Sequence, residues 1–139
     1  MDQTLIFFLS AIIIVGALIF GIICRTKGMK KSLDVEFYRV RYMSIENKLK
    51  KYEPSTYHIS IIEADKLLDH ALKESGYRGQ TMSERMKNAN SIFSDRNAVW
   101  RAHKLRNQIV HEPDAKATFE ETRNAINGFK KALKDLGAI

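Results

Sequence analysis

Hydrophobic positions follow two different patterns along this chain. Residues 5–24 read LIFFLSAIIIVGALIFGIIC, twenty positions without a charge and with only Ser10 clearly polar. As a helix this run rises about 30 Å, the thickness of a bilayer hydrocarbon core. Beyond residue 31 apolar side chains instead return every three or four positions, as on helices that bury one face. Val35, Tyr38, Tyr42, Ile45, Leu49 and Tyr52 form one stripe, which Pro54 ends. Tyr57, Ile61, Ala64, Leu68 and Leu72 form a second, opened by Ser55 or Thr56 and stopped at Ser75-Gly76. Thr81-Met82-Ser83-Glu84 has capping-box spacing and predicts a short helix that frays near 88–90. Ser94 is placed to cap a helix reaching His111 before Pro113. A last helix starts near Asp114 and carries Phe119, Thr122, Ile126, Phe129, Leu133 and Leu136, ending at Gly137. No alternation of period two is long enough for a strand. The expected fold is all-α: one N-terminal transmembrane helix, then an antiparallel bundle of about five helices with short connections.

The flanks of the apolar run set its expected role. Before it only Asp2 carries a side-chain charge; after it come Arg25, Lys27, Lys30 and Lys31. A cleaved signal peptide carries a basic leader and small residues at the cut. Here Ile22 and Ile23 precede Cys24 instead, so the run reads as a retained anchor. Positive residues stay on the cytoplasmic side. The expected layout is a short extracytoplasmic segment 1–4, a membrane span 5–24, a basic juxtamembrane segment 25–31 and a cytoplasmic domain 32–139. The protein is then a single-pass cell-membrane protein. Ala17 and Gly21 have a spacing that lets helices approach, but small residues are common in spans. The single Cys excludes a disulfide framework.

Charge divides the rest. Residues 25–51 hold nine basic and three acidic side chains, a net of +6, and residues 73–106 hold eight and three, a net of +5. The first block suits anionic lipid headgroups. The second is remote from the anchor and is either an ordinary solvated surface or a track for a phosphate backbone through side chains such as Arg96, Arg101 and Lys104.

Residues 94–111 read SDRNAVWRAHKLRNQIVH. On a helical wheel Ala98, Ala102, Leu105 and Ile109 form a core-facing stripe, while Trp100, His103, Asn107 and His111 fall opposite. A Trp on a bare polar face is unusual. The stripe therefore either fills a second contact layer of a central helix or meets a partner chain or ligand.

Arg106-Asn107-Gln108-Ile109-Val110-His111 resembles the Arg-polar-x-x-x-His signature of the HEPN superfamily, the "higher eukaryotes and prokaryotes nucleotide-binding" domains. Arg96-Asn97 with His103 offers a looser register of the same pattern. The resemblance covers residues 94–136 best, covers 55–93 only in helix number, and omits the anchor. It implies a small helical bundle that dimerises so that two Arg/His pairs line one cleft, and RNA cleavage without metal. In such chemistry the 2′-hydroxyl attacks and a 2′,3′-cyclic phosphate is left. An imidazole titrating near neutral pH moves the proton, and an always-charged guanidinium meets the phosphorane charge. On this resemblance His111 is the acid/base, Arg106 the phosphate clamp and Asn107 a positioning residue. Arg106 and His111 stand about 140° apart on a helix, so a homodimer through Trp100, His103, Asn107 and His111 is expected. No metal-ligand spacing, Gly-rich phosphate loop or nucleophile elbow occurs, and no cofactor is expected. A non-catalytic, membrane-tethered dimerisation scaffold using the same helix face is the alternative.

Overall fold

The computed structural model describes residues 2–26 and 32–139. Among these, every regular element is an α-helix: α1 (Gln3–Thr26), α2 (Val35–Lys48), α3 (Ser55–Glu74), α4 (Met82–Asn88), α5 (Arg96–His111) and α6 (Phe119–Asp135). The chain divides into two compact units, residues 1–30 and 31–139. Much of the basic segment 25–31 lies outside the described residues.

The first unit is a single apolar helix. Its stretch Gln3–Ile22 has a mean hydropathy of 2.9, long and apolar enough to cross a membrane. The Ser10 hydroxyl donates to the Phe7 carbonyl at 2.9 Å, so the polar side chain inside the apolar run is satisfied within the helix.

In the second unit α3 is central and packs against α2, α4, α5 and α6. Tyr38, Ile61, Leu68, Leu72, Met86, Val99, Phe129 and Leu133 are fully buried there, and each large apolar side chain so buried stabilises by about 1.5–3 kcal/mol. Every core residue belongs to this unit, so a fragment beginning at residue 32 retains the whole core. α5 and α6 approach closely at Gly128, where a Cβ would stand 2.9 Å from the Ala98 carbonyl oxygen. Because that obstacle is backbone, Gly128→Ala is expected to cost about 1–3 kcal/mol. Urea unfolding of residues 32–139 measures this, and an unchanged midpoint would refute the close approach.

Helix boundaries depart from the sequence pattern where capping chemistry competes. α2 stops at Lys48 and leaves Tyr52 86% exposed, outside the apolar stripe. α5 is capped by Asp95, whose carboxylate accepts from the Ala98 N–H at 3.0 Å. Ser94 is occupied elsewhere, its N–H and hydroxyl both reaching Asp135 at 2.8 and 2.9 Å. α6 begins at Phe119 rather than near Asp114, because Thr118 and Glu121 form a complete capping box. At α4 the Thr81 hydroxyl caps the Glu84 N–H, while the Glu84 carboxylate takes the N–H of Gln80.

Candidate functional site

The cluster of interest joins three helices. Asp65, one side of α3, is 2% exposed, and His103 of α5 is 5% exposed. His103 Nδ1 lies 2.7 Å from Asp65 Oδ1. A carboxylate can only accept, so this nitrogen carries the proton and Nε2 is the acceptor of the neutral ring. Ser83 Oγ of α4 lies 3.0 Å from that Nε2, and Asn107 Nδ2 lies 3.2 Å from it. Arg106 Nε stands 3.2 Å from the second Asp65 oxygen, and Arg106 Nη1 donates to Asn107 Oδ1 at 2.9 Å. The Arg106 Nε contact has ion-pair distance without hydrogen-bond alignment, which makes the guanidinium the least committed member of the cluster.

Helix geometry explains the convergence. His103, Arg106 and Asn107 stand three and four residues apart and share one face of α5. That face turns toward α3 and α4, while the Ala98, Ala102 and Leu105 side lines the groove against α6. A hydrogen bond from the histidine to one oxygen and the arginine charge beside the other let the carboxylate tolerate burial.

The cluster forms one wall of a cleft of about 350 Å3, whose lining also includes Lys66, Asp69, Gln80, Thr81 and Arg85. Arg85 is held in place by Asp69, its Nε 2.7 Å from Oδ1, and by the Gly79 carbonyl. Gly79 permits this turn, since a Cβ there would meet the Glu84 Cβ at 2.7 Å. Burial alone would raise the Asp69 carboxyl, but hydrogen bonds from Arg85 and Lys73 outweigh it and hold the group below the usual carboxylate range. A depressed pKa of this kind stabilises the fold fully above the ordinary Asp value of about 4 and is lost as pH falls through the native value. Hydrogen-exchange protection of α4 is therefore expected to fall on acidification below about pH 4, and less so in Asp69→Asn.

The sequence-derived candidates separate. Arg106 and Asn107 are in the cleft with His103. His111, the last residue of α5, is exposed and does not line the cleft. Arg96, Arg101 and Lys104 are exposed and likewise lie outside its lining, whose cations are Lys66, Arg85 and Arg106. Trp100 is half-buried; its indole N–H donates to Asn90 Oδ1 at 3.3 Å and its ring stands edge-on to His103. Of the expected dimer-face residues, His103 is buried against α3 and α4 of its own chain, at the wall of the cleft. Away from the cleft, the Tyr38 hydroxyl donates to Glu74 at 2.7 Å and lies 2.7 Å from His70 Nδ1. Asp65 and Ser83 carried no sequence signal of their own; Asp65 sits among apolar α3 positions, where an unpaired carboxylate would be costly, and that was the available hint.

Among the described residues no group of three or more His, Cys, Asp or Glu side chains is placed to hold a metal ion. Fold and site together define an all-helical bundle with a polar cleft, in which Arg85 is paired with Asp69, built on a buried Asp–His–Arg cluster. No family model, curated protein or solved structure matches the chain.

Proposed function

We propose that this is a membrane-anchored, HEPN-like domain that binds RNA in the α3/α4/α5 cleft and cleaves it without metal. In this reading α1 spans the membrane with the N-terminus outside, and the antiparallel bundle lies in the cytoplasm. The observation that carries the proposal is His103, oriented by a buried carboxylate with its acceptor nitrogen at the cleft and Arg106 beside it. Nε2 is satisfied by the Ser83 hydroxyl, a contact that a ribose 2′-hydroxyl would replace. His103 then accepts the 2′-proton as oxygen attacks phosphorus, Arg106 meets the charge on the phosphorane, and Asn107 holds the guanidinium. The 5′-oxygen leaves with a proton. His111 supplies that proton from a second protomer, since it stands on the exposed end of α5.

The test is residues 32–139 with mixed RNA in excess EDTA, reading product ends. Cyclic-phosphate ends from wild type, absent with His103→Gln and Arg106→Ala, are the expected result. Loss with His111→Ala, restored by mixing His111→Ala with His103→Gln chains, would identify the shared site. The burial of Asp65 and His103 favours a second reading, a scaffold in which the cluster only staples α3 to α5. A folded wild type that leaves every RNA intact would select that reading.

A further inference from the structure

The bundle leaves one helix face uncovered. Seven large hydrophobic residues between 32 and 139 are exposed, and four of them belong to α2: Val35, Phe37, Val40 and Met43, at 38–56% exposure. Tyr52, Ile59 and Val110 are scattered singly. Val40 and Met43 stand on the side of α2 away from the buried Tyr38, Tyr42 and Ile45 and line a shallow hollow there, with Phe37 on one flank and Val35 at the edge of the buried stripe. Two arginines interleave with them. Arg39 has no ion pair among the described residues, and the Arg41 guanidinium lies over the Phe37 ring at 5.6 Å. Asp34 caps α2 and Glu46 is paired with Lys130 at 2.8 Å, which leaves Glu36, one turn before Val40, as the one carboxylate on the face against Arg39 and Arg41. Lys50 and Lys51 follow directly.

We propose that this face of α2 docks on an anionic lipid surface. Val40 and Met43 enter the headgroup boundary while Arg39, Arg41, Lys50 and Lys51 meet lipid phosphate and carboxylate groups. The proposal rests on α1 being a membrane anchor. Eight residues separate Thr26 from Val35, a tether that reaches at most about 30 Å when extended, so α2 stays close to any bilayer that α1 occupies. A second copy of the chain is the poorer occupant, because a symmetric contact through α2 sets Arg39 and Arg41 against their own equivalents.

The test uses the full chain in lipid nanodiscs, with Cys24→Ser and Met43→Cys carrying a nitroxide. In discs containing phosphatidylserine the label is expected to meet dissolved oxygen more often than a water-soluble nickel chelate. In pure phosphatidylcholine the ratio is expected to reverse. Asn127→Cys on α6 serves as the water-exposed reference. Adding Arg39→Glu and Arg41→Glu is expected to return position 43 to water several-fold. A label open to the chelate in both discs overturns the proposal, as does shielding accompanied by dipolar broadening between copies. Chain that fails to co-float with the discs would refute the anchor and the docking together, whereas co-flotation with an open label refutes the docking alone.

Discussion

Asp65→Ala is expected to destabilise residues 32–139 by about 3–5 kcal/mol, the cost of leaving a buried charge without its partner. The carboxylate is 2% exposed, and its removal strands His103 Nδ1 at one side and the Arg106 guanidinium at the other. His103, 5% exposed, cannot turn to water without unpacking α5 from α3. Asp65→Asn, which keeps an oxygen for Nδ1–H but turns an amide N–H toward Arg106, is expected to cost less than Asp65→Ala. The double variant Asp65→Ala/His103→Ala should fall short of the summed single costs, because the coupling between contacting partners is counted once. Urea unfolding of wild type, Asp65→Ala, Asp65→Asn, His103→Ala and the double variant measures all of this. Strict additivity would mean that the two side chains do not depend on each other.

Arg106→Ala and His103→Gln are each expected to lower RNA cleavage about 10²–10⁴-fold, the range for losing a positioned acid–base group or a charge-stabilising donor. Arg106 is half-buried, so its loss is the gentler test of fold, and far-ultraviolet circular dichroism should show unchanged helix content. Arg106→Lys keeps the charge but not the fork that reaches Asp65 and Asn107, and should recover only part of the rate. Ser83→Ala separates chemistry from architecture. It frees Nε2 from an internal donor, so a nuclease whose substrate takes that place should keep its activity, whereas a site that uses the serine itself would lose it. Turnover unchanged by Arg106→Ala would remove the basis of the proposal.

Local chemistry made much of this molecule readable in one dimension. Twenty uncharged residues in a row admit few structures besides a long apolar helix, and the 3–4 spacing from Val35 to Leu136 dictates helices because each must bury a stripe. The stop at Gly76, which takes φ +83°, follows from backbone geometry, whereas α2 ends at Lys48, before Pro54 is reached. What failed locally was the choice among adjacent caps, since Ser94 and Asp95 are equally able to cap and only the contact with Asp135 decides between them.

The α5 stripe was legible as unusual, yet its meaning depended on which neighbours the topology supplied. A helical wheel knows one core, but α5 packs on α6 with one side and on α3 with the other, where Ser83 of α4 reaches His103. The face that looked bare is therefore the one that carries the buried polar cluster. Asp65 and His103 are 38 positions apart and Ser83 and His103 are 20 apart, and no periodicity links residues across such distances. The sequence by itself determined the apolar N-terminal helix, the all-helical class and the polar residues that α5 carries, because these depend on spacing within a few turns. Only the tertiary structure decided that His103 rather than His111 joins Arg106, because that choice depends on which helix brings a carboxylate to the pair.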